Sequence, residues 1–214
     1  AGCRKITRRK VDLSDADGRS RLVPRSHHLC HKVVRRGDGV KKAESAPDFS
    51  MPSLRLATLS DLPRLVDIYN QAISSQTATA DTIPFTVEAR QAWFASHTPD
   101  AHPIYTYEDE NGLVVGYLSI SPYRDRPALS RTAEISYYVD YSQHGKGIGS
   151  ALMEFALREA ARIGKKIFIA IVLEWNTGSI ELLEKFGFRK WGYLPEVAEF
   201  DNDLCGQFIY GRNV

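Results

Sequence analysis

Cysteine, methionine and tryptophan are all scarce, at three, two and three residues in 214. Two of the cysteines, Cys3 and Cys30, precede Met51, which leaves Cys205 alone in residues 51–214. One cysteine excludes a disulfide framework there, and a cysteine-based metal site as well. No metal is expected. No apolar run approaches the roughly 18 residues that a membrane-spanning helix needs, so no membrane partner is expected. No segment reads as a signal peptide, and there is no internal repeat or low-complexity tract. A reduced, soluble, cytoplasmic enzyme is the expectation.

Negative charge is scarce in the first fifty residues, which carry 13 Lys/Arg against 6 Asp/Glu. Residues 51–214 carry 15 against 20, so the overall balance of +2 hides two unlike parts. The first part is poor in aromatics and has no hydrophobic period. It contains Leu22-Val23-Pro24-Arg25-Ser26-His27-His28, which resembles a thrombin-type cleavage sequence beside a histidine stub. Residues 1–50 are expected to be vector-derived or otherwise non-native, and residues 51–214 to form the domain. The alternative, a basic arm for nucleic acid, lacks interleaved aromatics for base stacking. No nucleic-acid partner is expected.

From Met51 the hydrophobic periods are clear. Leu54–Thr58 alternates as a strand. Ser60 can cap a helix with Asp61 and Pro63 in its first turn, and Leu62, Leu65, Val66, Tyr69 and Ala72 mark its apolar face. Thr77 to Pro84 is a link, and Thr86 caps a second helix. Strands at Pro103–Tyr107 and Leu113–Ser121 flank Glu110-Asn111-Gly112, a hairpin signal. Ala133–Val139 is a further strand. Ser150–Ile163 has a helical period, and Ile167–Leu173 is a continuous apolar run, as for a strand buried on both faces. A helix over about Ser179–Phe186 stops at Gly187. Strands near Arg189–Tyr193 and Gly206–Arg212 finish the chain. The order β-α-α-β-β-β-α-β-α-β-β describes a mixed α/β domain.

The most informative stretch is His144-Gly145-Lys146-Gly147-Ile148-Gly149, between a strand and a helix. Glycines allow positive φ and close backbone approach. The first N–H groups of the helix lack internal partners, and the helix dipole adds positive charge there. A pyrophosphate fits such an end. The spacing matches neither a P-loop, because Gly147 follows Lys146, nor the dinucleotide Gly-x-Gly-x-x-Gly.

These residues resemble the cofactor signature of the GNAT superfamily of acyl-CoA-dependent N-acetyltransferases, Arg/Gln-x-x-Gly-x-Gly/Ala. Gly147 and Gly149 match, while His144 stands where Arg or Gln is usual and Gln143 is adjacent. Asn176-Thr177-Gly178-Ser179, continuing to Gly187-Phe188, resembles the family's second block. Ile68-Tyr69-Asn70, Pro84-Phe85-Thr86, Trp93, Tyr123-Arg124-Asp125-Arg126 and Thr132–Val139 echo its phosphinothricin-type branch. The resemblance implies a central mixed, mostly antiparallel sheet flanked by helices, with a splay between the fourth and fifth strands. It implies acetyl-CoA as co-substrate, a small-molecule amine as acceptor, and a homodimer. It also implies a cofactor site of Tyr137, Tyr138, Val139, His144, Gly145, Lys146, Gly147, Ile148, Gly149, Ser150, Asn176 and Ser179. Asn176 and Ser179 can equally be helix-start residues.

Acetyl transfer needs a neutral amine, and an α-amino group with a pKa near 7.7–8.0 is mostly protonated at neutral pH. Glu134, matching the family's catalytic Glu, is the expected base; half-burial should raise its pKa. Backbone N–H groups around Tyr137–Val139 are expected to meet the acetyl oxygen. Arg124 and Arg126 can face an acceptor's carboxylate or pair with Asp125 on the surface. Related enzymes often carry Tyr or His where this chain has Leu183, so the leaving thiolate takes a proton from another group, such as Tyr193 or Tyr210, or leaves on hydrogen bonds alone. Residues 197–206 are acidic and lack the branch's Lys and Trp-x-Asp pattern. Acetylation of a peptide or a polyamine, and a non-catalytic acyl-CoA sensor, are the alternatives.

Overall fold

The computed structural model describes residues 53–214; the segment 1–50, with Cys3 and Cys30, lies outside the described residues. Seven strands form one sheet: β1 (Ser53–Leu56), β2 (Ile104–Glu108), β3 (Val114–Pro122), β4 (Thr132–Val139), β5 (Ile167–Leu173), β6 (Arg189–Phe200) and β7 (Asp203–Asn213), in the order β1-β2-β3-β4-β5-β7-β6. All neighbours are antiparallel except β4 and β5. Four helices flank the sheet: α1 (Leu62–Ser75), α2 (Val87–Ala95), α3 (Ile148–Glu159) and α4 (Thr177–Lys185).

Helix α1 buries Leu62, Leu65, Val66, Ile68, Tyr69, Ala72 and Ile73, a stripe at helical spacing. Ser60 does not cap it. A short 3-10 turn, Leu59–Asp61, comes first, and the Asp61 carboxylate accepts from the Thr58 N–H at 2.7 Å while also pairing with Arg55. A carboxylate that serves a backbone donor and a guanidinium at once outcompetes a serine for this position. The Thr86 cap forms as expected, its hydroxyl accepting from the Ala89 N–H at 3.2 Å.

The helices carry their apolar stripes to opposite faces. Leu65 and Ile68 of α1 pack with Ile104, Val114 and Tyr117, and Trp93 and Phe94 of α2 close that cluster. On the other face Ile148, Leu152, Met153 and Ala156 of α3 and Leu183 of α4 meet Leu118, Ile120, Ile135, Phe168, Ala170 and Val172. Leu118, Ile120, Leu152, Met153 and Phe168 are under 2% exposed. Each such side chain contributes roughly 1.5–3 kcal/mol on burial, so this second cluster anchors the helix that follows the glycine turn.

Two late strands are longer than their apolar patterning suggests. Residues 197–206, an acidic stretch without the family pattern, form the end of the β6–β7 hairpin. Asp201 (φ 49°) and Asn202 (φ 78°) make its turn. Asx residues tolerate the left-handed region, so the turn needs no glycine to announce it. Phe200 and Cys205 are buried there against Leu173.

The expected splay is present. Strands β4 and β5 pair only at Thr132–Ile167, Ala133–Phe168 and Glu134–Ile169. Beyond that, β4 stays paired to β3 through Val139, and β5 stays paired to β7 through Leu173. The gap leaves one edge of β4 residues 135–139 without a neighbouring strand. It also corrects the reading of β5 as buried on both faces, because Ile171 faces the gap and is 40% exposed.

Candidate active site

Strand β4 ends at Val139, and the next residue, Asp140, accepts from the Ser142 N–H at 2.8 Å through its carboxylate and starts a 3-10 turn over Tyr141–Gln143. The chain then passes Gly145 (φ 77°) and Gly147 (φ 83°) and enters α3 at Ile148. The helix therefore begins two residues before the expected Ser150. The left-handed φ at both positions needs glycine. Gly149 sits close to α4: a Cβ there would stand 3.1 Å from Leu182 Cδ2, so a larger residue would require that side chain to shift. His144 Nε2 is 3.0 Å from the Val139 carbonyl oxygen, which folds the imidazole back under the turn. Lys146 Nζ donates to Gln143 Oε1 at 2.8 Å.

Helix α4 starts at the opposite wall. Asn176 Oδ1 accepts from the Ser179 N–H at 3.1 Å, so the helix begins at Thr177 with Asn176 as its cap. Between the two helix starts and the parted strands lies a cleft of about 530 Å³. Its walls include Ile135–Val139, His144, Gly145, Gly147–Gly149 and Asn176–Ser179. Of the residues named from the sequence for cofactor binding, Lys146 and Ser150 are absent from the wall.

A second cavity of about 380 Å³ lies on the α1–α2 face of the sheet. Period-two alternation selects its sheet residues: Tyr117, Ser119 and Ser121 from β3, Glu134, Ser136 and Tyr138 from β4, and Ile171 and Leu173 from β5. Tyr69, Arg90 and Trp93 cover it from the helices. Ala78, Ser136, Tyr138 and Ile171 line both spaces, so the two meet at the gap in the sheet. A ligand on one helix start and a ligand on the other face can thus touch through the splay.

The sequence profile of the Acetyltransferase (GNAT) family matches residues 65–188 of this chain. The chain belongs to the GNAT acetyltransferase family. It is an N-acetyltransferase of that family, and it is similar to YwnH of Bacillus subtilis (strain 168), 43% identical over 162 residues, 76% of this chain and 99% of YwnH. It is 34% identical to an L-methionine sulfoximine/L-methionine sulfone acetyltransferase of Pseudomonas aeruginosa, over 69% of this chain and 86% of that one. Among solved structures, a phosphinothricin acetyltransferase from Sinorhizobium meliloti in complex with AcCoA superposes with a TM-score of 0.73 at 26% identity, covering 76% of this chain and 88% of that one.

In this GNAT acetyltransferase Glu134 lies on the wall of the second cavity, opposite Ser121 in the β3–β4 register. Burial pushes its carboxyl above the ordinary range, and the charge of Arg124 offsets part of that rise. Arg124 itself lines neither space, and neither does Arg126. Both follow the end of β3, and Arg126 Nη1 donates to the Asp125 carbonyl at 2.8 Å. The cation on the cavity wall is instead Arg90, from the second helix. Its signal in the sequence is weak, since α2 is short and Arg90 stands over rings from α1, the link and α2 that only the fold brings together.

Tyr193 and Tyr210 are also placed away from both spaces. The Tyr193 hydroxyl donates to Glu174 at 2.9 Å and that of Tyr210 to Glu184 at 2.7 Å. Leu183 is buried under the first cleft. Tyr138, Tyr141 and Tyr137 are the phenols on that wall, and the hydroxyl of Tyr137 donates to the Ser179 carbonyl at 3.4 Å. Burial pushes it up to about 12, so it holds its proton against a thiolate. It can donate a hydrogen bond but is a poor proton source.

Among the described residues no cluster of three His, Cys, Asp or Glu side chains could hold a metal, and no helix is long and apolar enough to cross a membrane.

Proposed function

We propose that the protein transfers acetyl from acetyl-CoA to the primary amine of a small molecule, an amino acid or analogue, by direct attack in a ternary complex. The observation that carries this is the meeting of the two cavities at the β4–β5 gap, with Glu134 on the far side from the glycine turn. The donor's pyrophosphate would lie on the N–H groups of Gly145, Gly147 and Gly149, and its pantetheine arm would run along the free edge of β4 past Asn176. Bound there, the thioester supplies the electrophilic carbonyl. Every second N–H of residues 135–139 faces the gap, where the carbonyl's developing charge is met by fixed dipoles.

On the acceptor side, Glu134 takes the ammonium proton, directly or through water, and leaves a neutral amine aimed through the gap. Its burial places the carboxyl nearer the amine in basicity, which suits a general base. As the C–N bond forms and the C–S bond breaks, the thiolate departs with a hydrogen bond from Tyr137 rather than its proton, and the surplus proton of the acylated nitrogen passes to the thiolate or to water. The acceptor class is supported by the relatives that acetylate methionine sulfoximine and methionine sulfone. A homodimer is part of the reading, supported by the exposed Trp191, Tyr193 and Leu194 along edge strand β6.

Thiol release from acetyl-CoA by the full chain, run against amino acids, methionine sulfone, polyamines and short peptides, tests the reading. Turnover confined to amino acids and their analogues is the expected result. Turnover confined to peptides or polyamines overturns the acceptor class, and acetyl-CoA binding without turnover favours a sensor.

A further inference from the structure

The second cavity carries two charged side chains on its wall, Glu134 and Arg90. Arg90 projects from α2 into a cage of aromatic rings. Its Cζ lies 4.4 Å from the Tyr69 ring centroid, 4.7 Å from that of Phe85 and 4.4 Å from that of Trp93. Its charge offsets part of the rise that burial gives the buried Tyr117 phenol on the same wall. Among the described residues no carboxylate forms an ion pair with it.

A guanidinium stacked on π faces at a cavity wall keeps its N–H edge available to a ligand. Cation–π contact covers the faces of the planar group, whereas its five N–H donors point outward in the plane. Those edges match a carboxylate or phosphinate, which accept two parallel bonds. The rings also remove the rotamer freedom that a long cationic side chain would otherwise lose on binding.

We propose that Arg90 is the anion anchor of the acceptor site: it binds the acidic group of a zwitterionic acceptor whose amine is offered to Glu134. The proposal rests on the acetyltransfer reading above and narrows its substrate class to α-amino acids and analogues with an acidic group beside the amine. Arg90 takes the role that the sequence offered to Arg124 and Arg126. A cavity with one base and one cation fixes both ends of a zwitterion, and so orients the amine toward the gap in the sheet.

The test compares methionine sulfone with its α-amide, which keeps the amine and loses the carboxylate. In Arg90→Gln the preference for acid over amide, as the ratio of kcat/KM values, is expected to fall about 10- to 100-fold, the range for one charge-assisted hydrogen-bonded contact. The loss should sit in KM of the acid. Arg90→Lys keeps the cation in the cage but loses the fork, and should restore part of the preference. Acetyl-CoA affinity, measured calorimetrically in each variant, reports whether the fold is intact. If Arg90→Gln binds acetyl-CoA normally and loses acid and amide alike, or neither, the Arg90 assignment falls while acetyl transfer stands. If the wild type turns over no amine, the acetyltransfer reading falls and takes this one with it. If Arg90→Gln does not fold, the Arg90→Lys ratio decides: an unchanged acid preference overturns the anchor.

Discussion

Asp140, the residue that follows β4, accepts a hydrogen bond from Arg64 of α1 at 2.5 Å. Gln71, two turns further along α1, adds a 3.2 Å bond to the same carboxylate oxygen and accepts from the Tyr141 N–H at 2.9 Å. The mouth of the glycine turn is thereby tied to the helix that also covers the second cavity. Burial alone would raise the Asp140 carboxyl, but the bonds from Ser142, Arg64 and Gln71 prevail and hold it well below the usual carboxylate range.

Asp140→Ala should therefore cost about 1–3 kcal/mol of stability at neutral pH, the range for removing a buried charged acceptor. Because the folded-state pKa is depressed, this stabilisation is present above the unfolded value near 3.9 and disappears as pH falls through the lower native value. Urea unfolding of wild type and variant should show a gap at pH 7 that narrows below about pH 4. Acetyl-CoA affinity should fall in parallel, because the turn loses its tie to α1.

Glu134→Gln should lower kcat by ~10²-fold or more while leaving acetyl-CoA affinity in place. Wild-type kcat/KM should rise with pH as the Glu134 carboxyl loses its proton, with the acid limb above the ordinary carboxylate range. The variant should lack that limb. The stability sign is opposite to that of Asp140. A raised folded-state pKa means that stability falls as pH rises through it, and Glu134→Gln removes this slope. Turnover equal to wild type at every pH would remove Glu134 from the mechanism.

Gly147→Val should abolish acetyl-CoA binding. Its φ of 83° is strained for a β-branched residue, and the side chain would stand where the pyrophosphate must approach the helix start. Calorimetric titration with acetyl-CoA reads this directly, and wild-type affinity would refute the phosphate cradle.

Tyr137→Phe should reduce kcat only about 2- to 10-fold, the worth of one neutral hydrogen bond. A loss of a thousandfold in single-turnover rate would instead make Tyr137 the proton donor.

Much of the fold is legible in local sequence. Glycines that need left-handed φ, an Asn one residue before a helix and an Asn-Gly hairpin are local signals, because each reflects the conformation of a few adjacent residues. So is the alternation that puts Glu134, Ser136 and Tyr138 on one face of β4. The Asp201-Asn202 turn escapes such a reading because Asx residues adopt it with a fainter signal than glycine. The Ser60 cap fails because the winning acceptor, Asp61, also answers to Arg55, an earlier residue on β1.

What the sequence by itself determined is the set of elements, the glycine turn and the polar face of β4, since hydrophobic period and backbone freedom are properties of neighbouring residues. Only the tertiary structure decided that β4 and β5 part after Glu134, that Arg90 rather than Arg124 or Arg126 reaches the second cavity, and that Tyr193 and Tyr210 are engaged elsewhere. Those outcomes depend on strand pairing and helix packing between residues far apart in the chain, and no local pattern encodes them.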